Sequence, residues 1–117
     1  MARLSTHVLD TMRGVAARGV RIEVHRLEAG IRERVAAAST NAQGRTDAPL
    51  LEGDHLVAGV YELTFHVGSY FAQANVALPS PPFLDEIMIR IGLADSSADY
   101  HVPLLVSPYG YSTYRGT

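Results

Sequence analysis

Val60-Tyr61-Glu62-Leu63-Thr64-Phe65-His66-Val67 is the stretch on which the fold turns. Tyr61, Leu63, Phe65 and Val67 share one face, and Glu62, Thr64 and His66 share the other. Alternation with a period of two residues is the mark of a half-buried strand. The same pattern recurs outward in both directions. From Gly19 to Leu27, Val20, Ile22 and Val24 oppose Arg21, Glu23 and His25. From Asp85 to Leu93, Ile87, Ile89, Ile91 and Leu93 oppose Met88, Arg90 and Gly92. From Tyr100 to Val106, Tyr100, Val102, Leu104 and Val106 oppose His101, Pro103 and Leu105. A weaker strand is expected over Glu33–Ala38, and short ones at Pro49–Leu51 and Tyr111–Arg115. Short strands parted by turn clusters predict an all-β antiparallel sandwich or barrel.

The punctuation between strands agrees. Asn41-Ala42-Gln43-Gly44 supplies a glycine where a turn needs positive φ. Ser80-Pro81-Pro82 lacks backbone donors at two positions and has to run outside any ladder. Ser69–Val76 shows no alternation and begins on a residue able to cap a helix, so a short helix is expected there. With no internal repeat or linker, residues 1–117 read as a single domain.

Composition narrows the chemistry. The chain has 117 residues, a 47% hydrophobic fraction and 19% charge, which suits a soluble globular domain and not a disordered one. Its formal charge of −2 gives no reason to expect nucleic acid or an anionic membrane as partner. Cysteine is absent, which excludes disulfides, thiolate metal sites and cysteine nucleophiles. All 10 basic side chains are Arg, so lysine Schiff bases and a P-loop lysine are excluded too. No stretch reaches the roughly 18–20 apolar residues that cross a bilayer, and a cytoplasmic location is expected.

What remains is histidine, arginine, carboxylates and hydroxyls. The five histidines never fall in a His-x-His or HExxH spacing, so neither metal nor cofactor is expected. His101 lies on the strand face shared with Pro103 and Leu105, a second apolar face that another subunit can cover. It reads either as an interface histidine bonded to backbone or as a member of a site, and Pro103 beside it is expected at an edge or a bulge. Arg45, in Gly44-Arg45-Thr46-Asp47, is either a solvated loop residue paired with Asp47 or a guanidinium fork for a carbonyl-rich or anionic ligand. His7, in Leu4-Ser5-Thr6-His7-Val8-Leu9-Asp10, has Ser, Thr and Asp near enough in sequence to orient an imidazole. His25, His55 and His66 are assigned structural or solvated positions. The tail Tyr109–Thr117 is aromatic where chain ends are ordinarily polar. It either closes a sheet as an edge strand or brings Tyr114 and the Thr117 hydroxyl to a pocket.

Together these segments resemble the 5-hydroxyisourate hydrolases, the transthyretin-related enzymes of urate breakdown. The likeness rests on Leu4–Asp10, Gly44–Asp47, His101-Val102-Pro103-Leu104-Leu105 and Tyr114-Arg115-Gly116 followed by a hydroxyl residue. Tyr61-Glu62-Leu63, Phe65-His66-Val67 and Ser69-Tyr70-Phe71 fit as well, so it spans essentially the whole chain. The hormone carrier transthyretin shares the fold but lacks the terminal pattern and the catalytic histidines. The resemblance implies a transthyretin-like sandwich of two four-stranded antiparallel sheets with one short helix near residues 69–76. It implies a homotetramer, a dimer of dimers, with sites where dimers meet. It also implies that His7, Arg45 and His101 form the polar centre and that Tyr114 and Thr117 line it. Thr117 stands where the family usually ends in Ser.

The implied reaction hydrolyses an N–C(=O) bond of 5-hydroxyisourate to give 2-oxo-4-hydroxy-4-carboxy-5-ureidoimidazoline. An activated cyclic acyl group needs an aligned water, a base and a donor for the developing oxyanion. His7 is the preferred base, Arg45 the carbonyl and oxyanion donor, and His101 the group that orients water or protonates the departing nitrogen; the two histidines are interchangeable in this scheme. The alternative is a non-catalytic transthyretin-like module that binds a small ligand in the same cleft.

Overall fold

In the computed structural model, which describes residues 2–117, the alternating segments pair into two sheets. The first sheet is built on β1 (Arg3–Asp10). One edge of β1 is shared by two short antiparallel partners, β2 (Val15–Ala16) near its end and β5 (Leu51–Glu52) near its start. Its other edge pairs with β8 (Tyr100–Ser107), and β9 (Gly110–Thr113) completes the sheet beyond β8. The second sheet runs in the order β4 (Ile31–Ser39), β3 (Arg21–Glu28), β6 (Gly59–His66) and β7 (Glu86–Leu93). Its register sets Ile22 opposite Phe65 and Leu63 opposite Ile89.

The expected sandwich is present, but its first sheet has five strands where four are expected, because two short strands share one edge of β1, and it carries one feature the alternation does not announce. β1 and β8 run parallel, with Ser5 opposite His101 and His7 opposite Pro103, whereas every other pairing is antiparallel. Parallel neighbours need a long crossover, and here almost the whole chain provides it. Leu4, Val8, Val24, Leu63, Phe65 and Leu104 are fully buried between the sheets. Each such side chain contributes about 1.5–3 kcal/mol of burial. The core set comes from the in-facing positions, which leaves Ser5, His7, Leu9, His101, Pro103 and Leu105 on the outward face of the first sheet.

Three expectations need adjustment. The helix α1 spans Val67–Gln73, starting two residues before the expected Ser69 and stopping three short of Val76. Ser69 does not cap it: His66 occupies the cap position without a side-chain bond, and the Gly68 N–H donates to the Asp85 carbonyl instead. Pro103 lies in an interior strand, not at an edge. Its missing N–H coincides with a gap in the β8–β9 ladder between the Leu104–Thr113 pair and the His101–Gly116 bridge, and Thr113 Oγ1 donates to the Pro103 carbonyl at 2.8 Å.

Candidate functional site

Parallel pairing of β1 with β8 sets Ser5 beside His101, and the distance between them is 2.8 Å from Ser5 Oγ to His101 Nδ1. His7 projects from the same face two residues further along β1. Its Nε2–H donates to the Gln43 carbonyl at 2.9 Å. The neighbours proposed from sequence to orient His7 do other things. Ser5 bonds His101, and Thr6 Oγ1 donates inward to the Val102 carbonyl at 2.6 Å. Asp10 is buried and accepts from Arg13 Nε at 2.8 Å and from the Tyr70 hydroxyl at 2.7 Å. Burial opposes its charge, but the Arg13 and Tyr70 hydrogen bonds hold its carboxyl below the usual carboxylate range. That network ties the end of β1 to α1 and leaves the Asp10 carboxylate unavailable to either imidazole.

Arg45 arrives on a turn fastened to β1. The Val8 N–H donates to the Gly44 carbonyl at 2.8 Å, and the Asn41 side chain accepts from the N–H groups of Gln43 and Arg45. Gly44 has φ +75°, and a Cβ there would collide with the Val8 carbonyl oxygen, so no other residue brings the turn this close. Asp47 accepts from Asn41 Nδ2 at 3.0 Å, and among the described residues the Arg45 guanidinium has no ion-pair partner. The loop therefore spends its one nearby carboxylate on its own geometry and presents a free guanidinium.

The tail folds back over the same face. Gly116 N–H donates to the His101 carbonyl at 2.7 Å, and a Cβ on Gly116 would sit 2.6 Å from His101 Cδ2. Arg115 stacks over the Tyr100 ring at 4.4 Å and donates to the Asp99 carbonyl at 3.2 Å. A cleft of about 600 Å³ results, lined by Arg3, Ser5, Arg45, His101, Arg115 and Thr117 among others. Of the residues expected from sequence, Arg45, His101 and Thr117 meet in this cleft. His7 stands beside it, close enough to act on His101 electrostatically. Tyr114 does not line it; it borders a neighbouring groove of about 360 Å³ with Ile89, Leu93 and Thr113.

Burial first, then the Arg45 guanidinium and the His7 imidazole, holds His101 below the ordinary histidine value. Each of these disfavours imidazolium, so His101 is neutral near pH 7 and carries one nitrogen lone pair. The cleft thus joins a neutral imidazole, an uncommitted guanidinium and two hydroxyls. This set can take a proton from water and stabilise an oxyanion. Sequence reasoning missed Ser5 as a partner of His101, and Gln43, whose contribution is a backbone carbonyl with no residue-type signature.

Known proteins carry the same arrangement of segments. The chain is 53% identical over 115 residues to 5-hydroxyisourate hydrolase 2 of Rhizobium meliloti (strain 1021), covering 98% of this chain and 96% of that one. The structure of Klebsiella pneumoniae 5-hydroxyisourate hydrolase superposes with a TM-score of 0.83 at 37% identity, covering 100% of both chains. The crystal structure of (S)-allantoin synthase superposes with a TM-score of 0.94 at 43% identity, over 99% of this chain but only 44% of that one. Residues 4–116, which include the parallel β1–β8 pair, the Arg45 turn and the returning tail, match the HIUase/Transthyretin family throughout, and the chain belongs to it.

Proposed function

We propose that this chain is a 5-hydroxyisourate hydrolase acting in urate breakdown. Its full-length relatives carry that name, and one observation carries the chemistry: His101 lies in the same cleft as Arg45, which has no ion-pair partner among the described residues. Water adds to the ring carbonyl carbon while an imidazole takes one of its protons. The C–N bond then breaks, the departing nitrogen receives that proton, and the acyl carbon leaves as a carboxylate with release of the second proton. Arg45 donates to the carbonyl oxygen as negative charge develops there.

The expected division of labour reverses. His7 Nε2–H is committed to the Gln43 carbonyl, while His101 lines the cleft and is kept uncharged. His101 is therefore the proposed base, and His7 binds the ligand and suppresses protonation of its neighbour. The Thr117 hydroxyl completes the pocket. A purely ligand-binding role is less well supported, because the cleft brings an imidazole, guanidinium groups and hydroxyls to one space, the set that hydrolysis needs. The small-molecule substrate needs no cofactor in this scheme.

The homotetramer is part of the proposal. Leu9, Pro103 and Leu105 share the outward face of the first sheet, the apolar face that a second copy would cover. Tyr114, 60% exposed, is free to meet ligand once a second copy closes over this face. No helix among the described residues is long and apolar enough to cross a membrane; the cytoplasm is the proposed compartment, which fractionation tests. The direct experiment generates 5-hydroxyisourate in situ with urate oxidase and follows its ultraviolet band. Faster decay with protein, abolished in Arg45→Ala, is expected. Decay unchanged by the wild-type protein overturns the assignment.

A further inference from the structure

We infer that Ser5 is a positioning residue that fixes His101 as the Nδ1–H tautomer and so makes Nε2 the proton-accepting atom; this rests on His101 acting as the base. The two side chains face each other across the one parallel pairing of the fold, at 2.8 Å from Ser5 Oγ to His101 Nδ1. Among the described residues no charged group bonds Nδ1. Asp10, the carboxylate of β1, is turned into the core, and Asp99 at the cleft accepts from the backbone N–H of Arg3. A serine oxygen is thus the only hydrogen-bond partner that Nδ1 has among the described residues.

The chemistry sorts the two possible directions of that bond. A neutral imidazole carries one N–H, and the nitrogen bonded to its orienting partner determines which nitrogen remains free. If Nδ1–H donates to Ser5 Oγ, Nε2 keeps its lone pair. The Ser5 hydroxyl lines the cleft, so its own proton has somewhere to point. When Nε2 takes the proton from water, the Nδ1–H bond is already in place and strengthens as the ring becomes charged. A carboxylate in this position would hold the ring protonated at rest; a hydroxyl oxygen orients it without adding a negative charge. Gly116 completes the restraint, since its bare Cα packs against the His101 ring edge and its N–H bonds the His101 carbonyl.

The test uses the full chain and two independent readouts. In the first, ¹⁵N NMR of the ligand-free protein reports which nitrogen of His101 carries hydrogen. Nδ1–H is expected in the wild type, with loss of that preference in Ser5→Ala and its return in Ser5→Thr. A wild-type ring protonated at Nε2 overturns the inference whatever the substrate proves to be. In the second, Ser5→Ala lowers kcat about 10–100-fold, the usual cost of removing a group that orients a ligating or catalytic imidazole. It also moves the acid limb of kcat/KM to lower pH, because the imidazolium loses its acceptor. Thr6→Val, which removes the adjacent β1–β8 hydroxyl contact on the core side, leaves that limb in place. A Ser5→Ala enzyme with wild-type kcat and pH profile overturns the inference. Failure of the hydrolase assignment appears separately, as a wild-type protein that does not accelerate decay.

Discussion

On the outward face of the second sheet, Glu62 accepts from Arg90 at 2.9 Å and from Arg32 at 3.1 Å, and Glu23 accepts from His66 at 2.8 Å. On the outward face of the first, His101 meets a serine hydroxyl and Arg45 meets no carboxylate. Both faces are strand surfaces carrying histidine and arginine, so residue type does not separate them. The placement of carboxylates does. Where Glu62 and Glu23 hold Arg90, Arg32 and His66, the charges satisfy one another and the contacts stabilise the fold. Where the nearby anions bond backbone amides, as Asp99 does, or are turned into the core, as Asp10 is, the imidazole stays neutral and the guanidinium is left for a ligand.

The strongest way to break this contrast is to remove the neutral imidazole. His101→Ala is expected to lower kcat about 10²–10⁴-fold, the range for loss of a general base, measured by decay of 5-hydroxyisourate in single-turnover mixing. Because burial, Arg45 and His7 depress the His101 value, the wild-type acid limb falls below the ordinary histidine value of 6.5, and activity persists into mildly acidic buffer. Arg45→Gln comes next, at about 10²–10³-fold in kcat, as for loss of one oxyanion donor. Its thermal midpoint stays near wild type, since no ion pair is lost. Should Arg90→Gln cost as much turnover as Arg45→Gln, the division between the faces fails.

Smaller effects sharpen the same line. Gly116→Ala puts a methyl group against His101 and displaces the tail, with an expected loss of up to about 10²-fold in kcat, since a small misplacement at the reacting groups is enough. Oligomeric state by light scattering distinguishes this from disassembly. Glu62→Gln leaves turnover unchanged and costs about 1–2 kcal/mol in urea titration, the scale of lost bonds to charged groups. The Arg90 and Arg32 hydrogen bonds depress the Glu62 carboxyl, so its contribution is complete above the ordinary glutamate value and disappears as pH falls through the lower, folded value. The difference between wild type and Glu62→Gln therefore narrows in acid.

Much of this was legible in residue order. β1, β3 and β7 alternate because one face of each is buried, and that pattern predicts a sandwich or barrel. Val67 continues the alternation of β6 yet begins the helix, because helix geometry buries it equally well. β2, with two residues, is too short to show any period. At the site, Gly44-Arg45 was legible because a tight turn needs its glycine, and His101 because its strand is apolar on both faces. Ser5 was misassigned to His7 for a plain reason: they share a face of β1, and only the identity of the neighbouring strand decides which imidazole the hydroxyl reaches. Pro103 is expected at an edge or a bulge, but a gap in the ladder inside the sheet, with no shift of register, serves its missing donor as well.

Ser5 and His101 are separated by 96 positions and meet only when β1 finds β8. During synthesis, β1 leaves the ribosome first and waits, one edge unsatisfied, until nearly all the rest has emerged. Loop closure over so many residues is slow compared with hairpin formation. The second sheet, whose neighbours in sequence are mostly neighbours in space, can form in the meantime. The Ser5–His101 pair therefore cannot exist before β8 has been synthesised, and a nascent chain released earlier has no half-built site with which to act on a reactive purine derivative.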